Sequence, residues 1–527
     1  MALDTRLAAR LAEFLRGLRG MWVYLAVFAC AALVRVAFAF SRDRFTGSQT
    51  YDEWVHYAAA AEVLEGRLPY VDFTLAHPPG MVWALWPIAW LGRAAGTEVA
   101  VLTGRVIANL VGCLAAVGVT WAVRGRGRLA QCVAGGVFAF WCPQVLTDGQ
   151  LQLEPLCVPA LIAAGLLASR PAGVARRRAR TQAVGIGLLV GWALTVKIVA
   201  IGPAVAILGF VLLSRGRKAF GLAAGATASI WLAATLPFAA RAPGAFAGMV
   251  FWTQAARPKR WHVTVPGLGF VPQALTAVVV AGAAVAVFEI LRRAWRRGDH
   301  RPIVMWFAWG VAALGEAVVH PVRSDDSLVW LTPAIAFGAA HAVGWVRDRR
   351  PARRRRRVAT ALVGAVTLAA APFMGWCALA RLAGEPVPDQ FSTAHQALEE
   401  LRLWEGACVW SHRPQSLVLS GALHADIRAG CPVWVDPYGM DLARSAGVAA
   451  PEGAGMPIYS VDGLLAAGLE TAAAAWVERG SDWEEAAADA RGFVKVASAG
   501  RFDLYAAKEL AASARARSDE PSAAHWP

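Results

Sequence analysis

Long apolar segments dominate the first 380 residues of the chain, and polar or basic segments separate them. A membrane-spanning helix needs roughly 20 predominantly apolar residues. Twelve apolar segments stand out, at 21–40, 79–91, 99–123, 129–145, 153–168, 183–197, 199–213, 221–238, 266–290, 303–319, 328–346 and 358–380. This pattern predicts an all-α polytopic membrane protein.

Basic clusters between the apolar segments orient the predicted spans. They hold 28 of the 52 Lys and Arg residues and lie at 6–19, 124–128, 170–180, 215–218, 292–301 and 347–357. Because such clusters stay on the cytoplasmic side, an even number of crossings must separate neighbouring clusters. Three apolar segments separate the first two clusters, so one of them must not cross the membrane. Segment 79–91 is short, Trp-rich and broken by Pro87, and it is therefore predicted to lie along the outer leaflet. The prediction is 11 spans, with the N-terminus inside and the C-terminus outside.

This topology divides the chain into three parts. Residues 1–380 form the predicted transmembrane domain, with a long outer loop at 41–98, and residues 381–512 form a small extracytoplasmic α/β domain. Within the latter, segments 407–411, 431–436 and 501–507 are strand-like, whereas the Ala-rich segment 463–478 is typical of a helix. Residues 513–527 are predicted to be disordered.

Composition and charge narrow the class of protein. The chain is 57% hydrophobic and 17% charged, and its net charge is +15. Residues 381–527 carry 12 Lys and Arg against 20 Asp and Glu, whereas the preceding residues carry 40 against 17. A basic protein can bind nucleic acid, but here the Arg residues sit between the spans, so no nucleic-acid partner is expected.

Cysteine positions indicate a disulfide more readily than a metal site. Cys408 and Cys431 lie in the polar tail and would be able to pair if that tail is extracytoplasmic. No Cys or His spacing is typical of a zinc site.

The first outer loop begins with TYDEWVHYA at positions 50–58, which places Asp52 and Glu53 just outside the first span. Adjacent carboxylates are suited to acid–base catalysis, although an acidic helix start is the alternative. His77 follows in HPPG, which is either a functional element or a turn between helices. Asp72 lies between them and is either a functional residue or an acceptor for backbone groups of a turn.

The pattern D-E-x-x-x-Y-A-x-x-A-x-x-L-x-G-x-x-P-Y-x-D-F-x-x-x-H-P-P-G, which starts at Asp52, resembles the first periplasmic loop of GT-C glycosyltransferases. The bacterial protein O-mannosyltransferase-like and aminoarabinose-transferase-like enzymes are the most similar branch. QLQLEPL at 150–156 and GWALTVKIVAIGP at 191–203 extend the resemblance. It implies an inverting transferase of the cytoplasmic membrane that moves a sugar from a polyprenyl-phosphate donor to an envelope glycan, lipid or protein outside.

The resemblance also implies roles for individual residues. Asp52 is the expected general base, and Glu53 would orient the acceptor or tune Asp52. His77 is expected near the donor phosphate. Three further groups of candidates follow: Lys197 with Arg257, Lys259 and Arg260 for the phosphate; Tyr57, Asp72 and Glu154 for the acceptor or cavity; and Arg323 with Asp325 for the same cavity. A divalent metal is not required by this assignment, and the question of metal stays open.

Structural alternatives exist for several of these residues. Lys197 lies in an apolar hairpin, where a charge is costly unless it has a function or reaches the membrane surface. Glu154 begins an apolar span and would also fit as a helix N-terminal charge. Arg323 and Asp325 would also fit in a solvated loop.

Two other functions fit a polytopic chain. A transporter or lipid flippase predicts paired half-chains and broken helices at the membrane midplane, and the sequence shows no such internal duplication. A non-catalytic membrane scaffold with a sensing tail predicts that Asp52 is dispensable. The sequence does not indicate an oligomeric state.

Overall fold

The computed structural model describes residues 2–40, 50–170, 176–256, 264–265, 269–270, 301–319, 328–348, 390–401, 407–445, 472–481, 484, 487, 492–499 and 502–518. Helices make up most of these residues. Before residue 300 they are α1 (Ala2–Phe40), α2 (Tyr51–Leu64), α3 (Gly80–Ala95), α4 (Thr97–Ala122), α5 (Arg128–Phe140), α6 (Cys142–Asp148), α7 (Glu154–Ser169), α8 (Arg176–Val196), α9 (Ile201–Arg215), α10 (Arg217–Ala239), α11 (Pro243–Ala247) and α12 (Thr253–Ala256). After it they are α13 (Arg301–Val319), α14 (Thr332–Asp348), α15 (Gln390–Leu401), α16 (Pro414–Ser420), α17 (Leu423–Ala429), α18 (Pro437–Ser445) and α19 (Lys508–Ser518).

Five helical segments in the described part of the chain are long and apolar enough to cross a membrane. They are Met21–Phe40, Thr97–Ala122, Arg177–Val196, Ile198–Arg215 and Arg217–Ala239. The chain is therefore a multi-pass membrane protein, as the sequence predicts. The expected span at 358–380 lies outside the described residues, as does the expected span at 266–290 apart from Gly269–Phe270. The total of 11 spans therefore stays a prediction.

Helix α3 corresponds to the segment expected along the outer leaflet. Its 16 residues include Pro87, and it packs between α2 and α4. Trp83, Trp86 and Trp90 are 42–50% exposed. A short helix that presents indole rings outward is suited to the interface between lipid tails and water.

One predicted span is interrupted, and one predicted hairpin turns where the sequence places its turn. The segment expected at 129–145 divides between α5 and α6, with Trp141 in extended conformation between them and Pro143 in the first turn of α6. The expected hairpin at 183–213 turns at Lys197, which is extended, and a 3₁₀ turn at Ile198–Ala200 leads into α9.

The tail contains a four-stranded sheet of mixed direction. Its order is β3-β4-β6-β5, with β3 parallel to β4 and the other pairs antiparallel. Its strands are β3 (Cys408–Ser411), β4 (Ala472–Glu478), β5 (Phe493–Ala499) and β6 (Phe502–Ala507), whereas β1 (Thr264–Val265) and β2 (Gly269–Phe270) form a separate short hairpin. A disulfide joins Cys408 to Cys431, whose Cα atoms lie 5.6 Å apart.

Sequence-based assignments in the tail are partly confirmed. Strands were expected at 407–411 and 501–507 and are present as β3 and β6. The helix expected at 463–478 is wrong over β4, because this strand pairs on both sides and buries Ala474 and Ala475. The strand expected at 431–436 is also wrong, since the described backbone there is irregular. Helix α19 reaches Ser518, beyond the expected start of disorder at 513.

The tail docks directly on the first outer loop. Helix α16 packs against α2 and α4, α17 packs against α2, and α18 packs against α12. Apolar residues from the membrane helices and from the tail belong to one continuous core, which includes Trp54 of α2 and Leu417 of α16. The start of α2 is therefore covered by the tail.

Candidate active site

Asp52 and Glu53 lie in the first turn of α2. The partial positive charge of a helix N-terminus favours carboxylates at this position. Consecutive helical residues point about 100° apart, so the two side chains face different surroundings.

Glu53 is fully buried against a cation from α4. Its two carboxylate oxygens accept hydrogen bonds of 2.8 and 2.6 Å from Arg105, whose side chain is also fully buried. The backbone N–H of Leu151 donates a third hydrogen bond of 3.0 Å to Glu53. This carboxylate therefore ties α2 to α4 and to the loop that precedes α7.

Asp52 is half-buried and differently placed. In the part of the chain that the structure describes, no side chain forms an ion pair or hydrogen bond with its carboxylate. One helical turn later on the same face lies His56, which is buried, with Nδ1 3.1 Å from the carbonyl oxygen of Leu151. The ring of His77 meets the ring of His56 edge-on, at 5.4 Å between centroids. The two ends of the first outer loop thus meet beside Asp52.

A second buried ion pair lies next to the histidines. Lys197, at the break between α8 and α9, pairs with Glu154, the first residue of α7. Burial lowers the pKa of His56, Asp52 and Glu154 raise it, and Lys197 lowers it further. Asp52, His56, Glu154 and Lys197 therefore form one electrostatic cluster, and His77 joins it through its ring contact with His56.

Two atoms of this cluster carry unused hydrogen-bonding capacity. The Nε2 atom of His56 and the Oε2 atom of Glu154 are buried and have no hydrogen-bond partner among the described residues. A buried polar atom without a partner costs about 1–3 kcal/mol. Such atoms are suited to a polar ligand that enters the cluster.

A group of uncharged polar side chains borders the same region. The hydroxyl of Thr50 donates to Gln150 at 2.9 Å, and the amide of Gln152 donates to Thr50 at 2.7 Å. These contacts join the residue before α2 to the loop between α6 and α7.

Other predicted site residues have structural contacts. Asp72 accepts a 2.6 Å hydrogen bond from the N–H of Leu68, as the turn interpretation expects. Tyr57 is buried, about 140° around α2 from Asp52, and its hydroxyl lies 3.1 Å from Nε2 of His424 in the tail. The remaining candidates lie outside the described residues: Arg257, Lys259, Arg260, Arg323 and Asp325.

Sequence reasoning missed several partners of the site. Arg105 is a charge inside an apolar helix, a costly position that could have marked it. Arg35 in α1 is a similar case, since it is buried and donates to Asp148 at 2.6 and 3.1 Å. His56 could have been found from its spacing to Asp52, whereas the tail contacts of Asp436 had no signal in the sequence.

Within the described ranges, no group of three or more His, Cys, Asp or Glu side chains is placed to hold a metal ion. Two of the acids near the start of α2 pair with cations instead, Glu53 with Arg105 and Glu154 with Lys197.

Comparison with known proteins identifies the architecture. No protein-family model matches the sequence, and no curated protein matches it. ArnT from Cupriavidus metallidurans in the apo state superposes with a TM-score of 0.52 and 16% identity, over 92% of this chain and 98% of that one. The same protein bound to undecaprenyl phosphate gives a TM-score of 0.50 at the same identity and coverage. The chain has the GT-C fold.

The GT-C fold confirms the fold class and the resemblance drawn from the outer-loop motif. The oligosaccharyltransferase of Archaeoglobus fulgidus, tethered with an acceptor peptide, also matches, with a TM-score of 0.49 and 15% identity over 84% of this chain and 60% of that one. In the GT-C fold of this chain, the acids of the motif lie at the start of α2, under the tail.

Proposed function

We propose that the chain transfers a sugar from a polyprenyl-phosphate donor to a hydroxyl of an envelope glycan, lipid or protein, with inversion at the anomeric carbon. The observation that carries this proposal is the different pairing of three neighbouring acids, Asp52, Glu53 and Glu154. Glu53 is neutralised by Arg105 and Glu154 by Lys197, whereas Asp52 has no such partner among the described residues. Asp52 is thus the acid of this group with an available carboxylate.

The reaction needs one proton acceptor and one stabilised leaving group. The acceptor hydroxyl gives its proton to Asp52 as its oxygen bonds to the anomeric carbon. The bond from that carbon to the phosphate oxygen breaks, and the polyprenyl phosphate leaves with the electron pair. Negative charge grows on the phosphate, so nearby donors lower the barrier.

His77 and Lys197 are the proposed donors to this phosphate. Both belong to the cluster that contains Asp52, and Lys197 is only 15% exposed, which strengthens its electrostatic effect. The unused Oε2 of Glu154 would accept a hydrogen bond from a sugar hydroxyl. Arg257, Lys259, Arg260, Arg323 and Asp325 stay candidates from the sequence. ArnT of the same fold has been solved with undecaprenyl phosphate, which supports a lipid-phosphate donor.

The site is proposed to face outside the cytoplasmic membrane. The Cys408–Cys431 disulfide in the domain above the loop supports an oxidising compartment. Positive clusters on the opposite ends of the spans support a cytoplasmic N-terminus.

Transfer by the reconstituted full-length chain tests this function. Liposomes would receive labelled polyprenyl-phosphate sugars and an envelope extract as acceptor. Asp52→Asn should reduce the transfer rate by at least 100-fold, within the range of acid–base catalysis. Glu98→Gln is the control, since Glu98 is an exposed acid in the first turn of α4. Undiminished transfer by Asp52→Asn would refute the base assignment, and donor movement across the bilayer without a new glycosidic bond would favour a flippase.

A further inference from the structure

Asp436, in the tail, makes a set of contacts that the proposed reaction does not explain. It is 4% exposed and lies in the segment between the disulfide and α18. Its Oδ1 atom accepts from the hydroxyl of Tyr51 at 3.3 Å and from the N–H of Gly439 at 2.8 Å. Its Oδ2 atom accepts from the N–H of Ala76 at 3.1 Å, and its carbonyl oxygen accepts from Thr74 at 3.4 Å.

The partners of this carboxylate flank both reactive residues of the outer loop. Tyr51 immediately precedes Asp52, and Ala76 immediately precedes His77. One side chain of the tail therefore holds the beginning and the end of the loop, with a separate oxygen on each.

Surrounding contacts make this link rigid. The hydroxyl of Tyr51 also accepts a 3.1 Å hydrogen bond from the N–H of Tyr438. The carbonyl oxygen of Ala76 accepts a 2.5 Å hydrogen bond from Gln254 of α12, the helix against which α18 packs. A Cβ atom at Gly439 would lie 2.2 Å from Oδ2 of Asp436, so glycine permits this close approach.

The phenol of Tyr51 is held as a hydrogen-bond donor. Burial and the negative charge of Asp436 raise its pKa well above the ordinary value for tyrosine. Its hydroxyl therefore keeps its proton at neutral pH and donates it to Asp436.

We propose that Asp436 is a positioning residue that fixes Asp52 and His77 relative to each other, so that docking of the tail completes the site. This inference rests on the proposed function. Asp436 would touch no reacting atom and would act through Tyr51 and Ala76. A displacement of about 1 Å in reacting groups can lower a rate about 100-fold, so its loss should appear mainly in kcat.

Two independent measurements on the full-length chain test the proposal. Turnover is compared for wild type, Asp436→Asn and Tyr51→Phe. Asp436→Asn should lower kcat at least 10-fold with a smaller change in KM for the lipid donor. Tyr51→Phe should cause part of the same loss, and the double variant should lose less than the product of the two effects.

The second measurement follows the loop without any sugar transfer. His77→Cys supplies a thiol that a membrane-impermeant maleimide can label. The labelling rate of the chain that keeps His77 is subtracted as background. Adding Asp436→Asn should raise this rate several-fold. The matched control is Asp503→Asn, since Asp503 is a buried tail carboxylate paired with Arg479 and Lys495 in the sheet.

The outcomes separate this proposal from the proposed function. Faster labelling with Asp436→Asn but not with Asp503→Asn supports the positioning of the loop, whether or not the wild-type chain transfers sugar. Absence of transfer by the wild-type chain would refute the proposed function alone. Equal labelling in both backgrounds, or a kcat no lower than that of Asp503→Asn, overturns the role of Asp436 while the function stands on wild-type transfer. Intact Cys408–Cys431 disulfide and unchanged elution on size exclusion are required of every variant, and Tyr51→Phe replaces Asp436→Asn if the latter fails them.

Discussion

Removing the charge of Glu53 should leave the guanidinium of Arg105 buried without its counter-ion. Both side chains are 0% exposed, and Arg105 reaches the carboxylate through two hydrogen bonds. Breaking a buried ion pair on one side costs about 3–5 kcal/mol, because the remaining charge is uncompensated. Glu53→Gln is therefore expected to destabilise the fold by about this amount, although a glutamine retains an acceptor for the N–H of Leu151.

The complementary substitution provides the control. Arg105→Met should cost a similar free energy, since it strands Glu53. The double variant Glu53→Gln/Arg105→Met removes both charges and should recover most of the loss, because neutral replacement of a buried pair is often close to neutral in stability. Two single losses of about 3–5 kcal/mol each and a nearly neutral double variant correspond to a coupling of about 6–10 kcal/mol between the two residues.

The assay is unfolding in mixed detergent micelles, followed by Trp fluorescence during titration with a denaturing detergent. Transfer is measured separately, under conditions where each variant is folded. Additive losses in the double variant would refute the reasoning about the ion pair. Normal stability of Glu53→Gln combined with abolished transfer would assign Glu53 a chemical role.

Other expected outcomes concern the tail and the second ion pair. Burial raises the pKa of Asp426 from an ordinary 3.8 to about 7. Because the folded protein then holds this proton more tightly than the unfolded chain does, the free energy of unfolding should fall by about 4 kcal/mol as pH rises from about 4 to 7. Asp426→Asn should flatten this part of the plot of thermal denaturation midpoint against pH, and an unchanged slope would contradict the prediction. Lys197→Gln should raise KM for the lipid donor at least 10-fold and should destabilise the fold, because it leaves Glu154 buried without its counter-ion. Adding Glu154→Gln should restore the stability but not the KM. Full recovery of KM in the double variant would make the pair purely structural. Replacing Cys408 and Cys431 by serine should destabilise the tail by about 3 kcal/mol, given a sequence separation of 23 residues. Limited proteolysis should then cleave the tail faster than in the wild type, and equal cleavage rates would contradict the prediction.

The membrane architecture follows from properties that the sequence displays directly. Apolar length predicts spans such as Met21–Phe40 and Arg217–Ala239, and alternation with basic clusters predicts their orientation. The outer-loop motif carries enough spaced residues to indicate the GT-C fold. The sequence does not predict which distant residues become partners on folding. Arg105, for example, lies 52 positions from Glu53, and no local pattern links them.

The errors in the tail have a physical cause. Ala472–Glu478 has high helix propensity, but pairing with β3 and β6 on both sides outweighs it. The strand expected at 431–436 is absent, and backbone carbonyl groups at its two ends bond to the outer loop instead. The carbonyl oxygen of Cys431 accepts from Arg67 at 3.2 Å, and that of Asp436 accepts from Thr74 at 3.4 Å. Local composition does not reveal such distant competitors.

The hydrogen bond from Tyr51 to Asp436 also orders events during synthesis of the protein. Its two partners are 385 positions apart in the chain. The loop with Asp52 leaves the ribosome early, but the residue that secures it arrives only after the membrane helices have been made. A nascent or truncated chain that lacks the tail therefore has the proposed base without the contacts proposed to fix it, so we expect transfer only after the tail has been made and has docked on the loop.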